Sequence, residues 1–309
     1  MPTPADDVGD LSGDASKLRG DMMTSRPADG PGGSFSPRFF LSADDSAAAL
    51  SDRMSAADHG DPSVNGLDPG DSVLLSAQDS HHALNVLRMR VGDRCEVVGQ
   101  GRSVYEAVVA GSQGGVQLTI VGRLSGEVAG PEYKCSVGLV QAITRPGVME
   151  YALEKGTEVG ADFFLLVQAD GSPRHSGNVA AGKLGRWRRI VLEAAKQSKQ
   201  TRVPWVDVAA DVSEALSLIE GAGGWDLVLD PRAVEPLHEL ALRIPEGCES
   251  GSRAGLRLWV GPEGGWSAKE EEAFRVAGPG GARLGRSILR TETAGPVAVA
   301  VARLALQDW

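Results

Sequence analysis

Leu258 to Trp266 reads LWVGPEGGW, an apolar run that stops in a glycine-rich turn. Further on, Leu284 to Leu304 reads LGRSILRTETAGPVAVAVARL, a second loop leading into a helix of small residues. Two such loops at neighbouring strand ends can build one pocket out of main chain, because glycine lets N–H and C=O groups approach a ligand with no Cβ between. An ordinary strand-to-helix turn is the competing reading of Gly261, Gly264 and Gly265. A different chemistry is written into residues 174–202. Arg174, Lys183, Arg186, Arg188, Arg189, Lys196, Lys199 and Arg202 face Glu193 as the one acid of that stretch. Such a field suits a phosphate backbone, although charge runs also form solvated helix faces.

The elements that position these loops have a β-then-α/β order. SVLLSA (72–77), RCEVVG (94–99), SVYEAVVA (103–110) and GVQLTIVG (115–122) are short β runs separated by turns, as in a small barrel. A helix over Asp79–Met89 interrupts them, capped by Asp79 or Ser80, with Leu84 and Leu87 pointing inward. From Pro131 strands alternate with helices: strands over 135–143, 162–168, 225–230 and 256–261, and helices over Met149–Val159, Ala268–Val276 and Ala294–Leu306. Leu184, Trp187, Val191 and Ala195 recur at helical spacing, with Arg186, Arg189 and Lys196 on the other side. Pro296 is expected in the first turn of the last helix. Runs apolar on both faces between helices predict a parallel sheet covered on each side. A dinucleotide-binding fold would place its glycine turn after the first strand. Here that strand runs into AITRPGVME, and the glycine turn comes late.

Bulk properties set outer limits. The chain of 309 residues carries a net charge of −10, but residues 1–70 hold twelve Asp/Glu against five Lys/Arg, so the acidity is concentrated there and RNA is not excluded. Residues 1–36 read as a disordered acidic tail and 42–71 as a long surface loop. Cys95, Cys135 and Cys248 lack CxxC spacing, and His59, His175 and His238 stand apart, so no metal is expected. With no membrane-length apolar run and no signal-peptide profile, the expected location is cytoplasmic.

The two C-terminal loops, with RFFL (38–41), SHHALNVLRMRVGD (80–93), EKGTEVGA (154–161) and EAAKQSKQTRVP (193–204), resemble the RsmE family of the SPOUT superfamily in content and order over roughly residues 37–309. The resemblance implies an α/β protein with an N-terminal PUA-like β-barrel (37–130), followed by a SPOUT domain (131–309) with a C-terminal trefoil knot. It also implies a homodimer that uses S-adenosyl-L-methionine, without metal, to methylate N3 of a uridine in small-subunit (16S) ribosomal RNA. Residues carried over for the cofactor are Leu229, Val260, Gly261, Pro262, Glu263, Gly264, Gly265, Leu284, Gly285, Ser287, Ile288, Leu289 and Arg290, with Asp230 completing the cleft. For the reaction, Arg290 is suited to stabilising the imide anion, and Glu292 is the nearest carboxylate that can take the N3 proton. Glu292 also fits as a first-turn residue favoured by the helix dipole. Arg38, Arg88, Arg90, Arg186, Arg189, Lys196, Lys199 and Arg202 are the candidate RNA contacts. The family often has lysine where Arg145 stands, and arginine keeps the charge but not the geometry. Two alternatives stay open: methylation of another RNA or position, and a non-catalytic RNA-binding factor of ribosome assembly.

Overall fold

The computed structural model describes residues 36–41, 66–99, 102–133, 135–173, 180–220, 223–244 and 255–307. All belong to one compact unit, Ser36–Trp309. Residues 1–35 of the expected tail, most of the 42–71 loop, Arg174, His59, His175 and Cys248 lie outside the described residues.

Five short strands come first: β1 (Arg38–Phe40), β2 (Ser72–Leu74), β3 (Arg94–Val98), β4 (Val104–Gly111) and β5 (Gln117–Leu124). They pair in the order β1-β3-β4-β5-β2, with β1 parallel to β3 and the rest antiparallel. Alternation along each strand turns Phe39, Val73, Val97, Leu118 and Ile120 into a shared core. Register shifts between Glu106/Ala107 and Val109/Gly111 add local twist, which curls the sheet around that core. The two edge strands are only three residues long and do not pair with one another, so the core is wrapped by a curled open sheet.

The helix between β2 and β3 departs from expectation. α1 (Ala77–His81) is capped by Ser76, whose Oγ accepts the Asp79 N–H at 3.1 Å, three residues ahead of the expected cap. It passes into a π-helical turn, His82–Val86, where Leu87 N–H donates to His82 O. Ala83 is buried within this turn, and the wider turn rotates the residues after it, so Met89 is buried while Leu87 faces outward rather than inward.

The second sheet has six parallel strands: β6 (Val137–Ala142), β7 (Phe163–Val167), β8 (Trp205–Ala209), β9 (Trp225–Leu229), β10 (Leu256–Val260) and β11 (Gly280–Ala282). Their order is β11-β9-β10-β6-β7-β8. Helices α2 (Pro146–Glu158), α3 (Ala180–Gln197), α4 (Val212–Ile219), α5 (Leu237–Ala241), α6 (Ala268–Ala277) and α7 (Thr291–Ala305) cover it. Successive side chains of a strand face opposite ways. Leu139 and Leu258 therefore join a core with Met149, Trp187, Leu237 and Val299, while Val140 and Trp259 join the opposite one with Val212 and Phe274. The parallel sheet covered on both faces is as the apolar runs predict.

The last helix starts at Thr291, earlier than expected, so Pro296 lies beyond its first turn. That proline removes the helical donor to the Glu292 carbonyl. Near the other end of α7, Arg303 is fully buried: it pairs with Asp162 at 2.8 Å, donates to Gly160 O and lies 3.8 Å from the centre of the Tyr133 ring. After β8 at one edge the chain crosses to β9, and β10 then fills the place between β9 and β6. Crossovers of this kind leave a crevice beyond the carboxyl ends of the strands, and that is where ligands bind in open α/β sheets.

Candidate active site

At the ends of β9, β10 and β11 the structure opens into a cavity of about 1160 Å³. One wall is the turn after β10. Gly265 has φ +77°, a left-handed conformation that L side chains resist, and its N–H closes the turn on Pro262 O at 2.9 Å. The turn feeds α6 through a capping box, in which Ser267 Oγ accepts the Glu270 N–H and the Glu270 carboxylate accepts the Ser267 N–H. Glu270 also accepts the Asp170 N–H, tying this wall to the loop after β7.

A second wall is the loop from Leu284 to Arg290, between β11 and α7. Thr291 Oγ1 donates to Gly261 O at 3.1 Å, joining the two loops directly. The third wall is the end of β9. There the Asp230 carboxylate accepts from Arg232, whose other contact is Glu271 Oε1 at 3.0 Å on α6. The hydrogen bonds from Arg232 hold the Asp230 carboxyl below the usual carboxylate range, which makes it a weaker base than a free carboxylate. Arg145, at the start of α2, closes the rim 3.7 Å from Glu263.

This lining suits a ligand read by main chain. Residues 284–289 make no main-chain hydrogen bond to other described residues, leaving a strip of donors and acceptors beside the cavity. A Cβ added at Gly264 or Gly285 would meet no protein atom, so both approaches are open. The Trp266 indole N–H is buried without a partner among the described residues, and its ring is held edge-on to Phe274 at 5.1 Å. Leu284 and Leu289 supply apolar contact beside these polar groups. Backbone edges beside apolar side chains suit a small polar ligand held largely by main chain.

Comparison with known proteins gives this lining a context. The family model described as "RNA methyltransferase domain" matches residues 131–303, and that described as "RNA methyltransferase PUA domain" matches residues 75–121. The ribosomal RNA small subunit methyltransferase E of Mycobacterium bovis is 32% identical over 78% of this chain and 90% of its own length. The chain belongs to the ribosomal RNA small subunit methyltransferase E family. The Synechocystis member is 29% identical over 74% of this chain and 72% of its own. A crystal structure of the Neisseria gonorrhoeae methyltransferase E, bound to S-adenosyl methionine, superposes with a TM-score of 0.67 at 26% identity, covering 87% of this chain and 97% of that one. The curled sheet is accordingly PUA-like, and the parallel sheet is of the RNA methyltransferase type.

Within this methyltransferase E fold, the residues expected to touch a cofactor come together. Leu229, Val260 to Gly265, Leu284, Gly285, Ser287, Ile288, Leu289 and Arg290 all line the one cavity, as does Glu292. Arg290 is exposed and stands 4.0 Å from Glu292, whose side chain is mostly covered. Ile288 is 83% exposed, an apolar side chain at the cavity mouth with no cover from the described residues. Arg145, Trp266, Arg232 and Glu271 also line the cavity, and the motifs alone do not place them there. For Trp266 the available signal is its position, immediately after the double glycine of GPEGG. Among the described residues no group of three His, Cys, Asp or Glu is placed to hold a metal ion.

The expected RNA contacts do not gather. Arg38 is buried and spends its guanidinium on Glu96 and on the carbonyls of Lys199 and Gln200. Lys196 is also buried, paired with Asp79 at 2.6 Å. Lys199 pairs with Glu96 at 2.8 Å, and Arg202 pairs with the buried Asp162. These four join the curled sheet to the α/β part or hold its interior: Arg38 and Lys196 are buried rather than outward, and Lys199 and Arg202 are half-buried in ion pairs. Their partners are far away in sequence, so the basic run carries no trace of them. Arg186 is exposed but paired with Glu150 at 2.7 Å, whereas Arg88, Arg90 and Arg189 are exposed.

Proposed function

We propose that the protein is an S-adenosyl-L-methionine-dependent methyltransferase acting on N3 of a uridine in small-subunit (16S) ribosomal RNA. One observation carries the reading: both glycine-bearing loops, the β9 end, Arg290 and Glu292 line a single cavity, and its main-chain strip has no partner among the described residues. When bound, S-adenosyl-L-methionine supplies an electrophilic methyl group on a sulfonium. Residues 260–265 and 284–289 hold the adenosine by its edges, and Leu284 and Leu289 cover its faces.

The uridine imide must lose its N3 proton before that nitrogen attacks, and it ionises only above neutral pH. Arg290 answers this need by placing a guanidinium beside the developing anion, and Glu292 takes the proton directly or through one water. Exposure of Arg290 suits a group that meets its substrate from solution. RNA contact falls to Arg88, Arg90, Arg186 and Arg189, the candidate cations left on the surface. The enzyme acts in the cytoplasm as a homodimer in which the partner covers Ile288, and the α7 segment forms the trefoil knot implied by the family resemblance.

Nucleoside mass spectrometry of small-subunit RNA from a strain lacking the gene tests the proposal. Loss of 3-methyluridine, restored by adding purified protein and S-adenosyl-L-methionine to the isolated subunits, is expected. An unchanged nucleoside profile would overturn it.

A further inference from the structure

Arg145 faces the cavity without being used by the fold. It lies just past the end of β6, forms the N-terminal boundary of α2, and has a side chain 75% exposed. Its guanidinium makes no hydrogen bond to another described residue; its nearest partner is Glu263 Oε1 at 3.7 Å. A charge-assisted hydrogen bond spans about 2.7–2.9 Å, so this pair is close without being joined. Of the other arginines lining the cavity, Arg232 is joined to Asp230 and Glu271 and Arg275 to Glu272, while Arg290, 4.0 Å from Glu292, is the one assigned above to the uridine imide. The Glu263 main chain, by contrast, is fixed, because the turn is closed by Gly265 on Pro262 and tied to α7 through Gly261 and Thr291. A guanidinium with no hydrogen bond among the described residues thus stands beside the Glu263 carboxylate at the mouth of the cavity.

We propose that Arg145 binds a phosphodiester group of the substrate RNA beside the target nucleotide, and that Glu263 is the carboxylate it leaves to do so. This rests on the RNA methyltransferase reading given above. The planar guanidinium fork matches two phosphate oxygens, which a loosely held carboxylate does not match at this distance. An exposed pair of this kind adds little to stability, so neither residue is needed for folding. With Arg290 assigned to the imide, Arg145 is the other arginine of the cavity lining without a hydrogen bond among the described residues, and so the cation left to anchor the RNA strand there. Glu263 then sets a threshold: a phosphodiester carries the same single negative charge, so it displaces the carboxylate by offering a closer, two-oxygen geometry.

The test uses the full chain, S-adenosyl-L-methionine, and small ribosomal subunits from a strain lacking the protein. Cofactor affinity is read by calorimetry, and subunit affinity by filter binding over a range of salt. Arg145→Ala should weaken subunit binding by about tenfold and lower the slope of log affinity against log salt by about one, with cofactor affinity kept. Arg145→Lys should restore the slope but only part of the affinity. Glu263→Gln should tighten subunit binding, and should have no such effect once Arg145 is alanine. Wild-type subunit affinity and slope in both Arg145 variants would overturn the proposal; so would a loss confined to cofactor binding. A wild-type protein that binds neither ligand would bring down the functional reading as well, which separates the two failures.

Discussion

Gly264 and Gly265 sit side by side in one turn, yet they restrict substitution for different reasons. Gly265 adopts φ +77°, so any L side chain there strains the backbone, by about 1 kcal/mol. Gly264 has an ordinary φ and open space where a Cβ would stand, so the fold tolerates a side chain. That space belongs to the cavity. Gly264→Val should therefore melt within a few degrees of wild type while its affinity for S-adenosyl-L-methionine falls by more than tenfold, on the order of 1.4 kcal/mol. Calorimetry and a thermal melt on the same sample check both halves. Unchanged affinity would place the cofactor elsewhere. The glycine spacing is legible in the sequence because it needs only local geometry. The contribution of Arg145 is not, since nothing local says that the end of β6 opens into the same cavity.

At the level of elements, legibility in the chain depends on how completely each segment is buried. β6, β7 and β10 are covered on both faces, so their sequences are unbroken apolar runs that announce strands. β8 is half-covered and irregular, so its sequence carries no continuous apolar run. α4 is legible by comparison: Asp211 caps it, and Val212, Ala215 and Ile219 are buried at helical spacing. Helix α3 shows the limit for charge. Its cations are plain in sequence, but Lys196 points at Asp79, which is 117 residues away, across the junction between the two sheets. Removing one partner of a buried pair strands the other charge, so Lys196→Ala should cost about 3 kcal/mol of stability. Its RNA affinity should keep the wild-type salt slope. Arg189→Ala, on the exposed side of the same helix, should do the reverse: stability held, and the slope reduced by about one. Urea melts paired with filter binding over a range of salt distinguish the two. If Lys196→Ala flattened the salt response with stability intact, α3 would present that lysine to RNA after all.

For the molecule as a whole, the question is whether the curled sheet and the α/β part behave as one body. Glu96 on β3 accepts from Arg38 and from Lys199, and the Arg38 guanidinium reaches on to the carbonyls of Lys199 and Gln200 beyond α3. Lys196 adds its bond to Asp79, and Thr201 donates to Pro131 O. Charge is thus shared across the junction in a buried network, whose members support one another more strongly than separate pairs would. Such a clasp should make unfolding cooperative. All six tryptophans, Trp187, Trp205, Trp225, Trp259, Trp266 and Trp309, lie after residue 131, so their fluorescence reports the α/β part alone, while far-ultraviolet circular dichroism reports both. In the wild type the two signals should trace one urea transition, as two-state unfolding requires. Glu96→Ala leaves the fully buried Arg38 side chain without its carboxylate, which should destabilise the junction by about 3 kcal/mol. The smaller sheet has less core of its own and should then unfold first, with dichroism falling before fluorescence. Coincident transitions at the wild-type midpoint in that variant would mean the network does not couple the parts, and that the apolar contacts of Phe39 and its neighbours suffice.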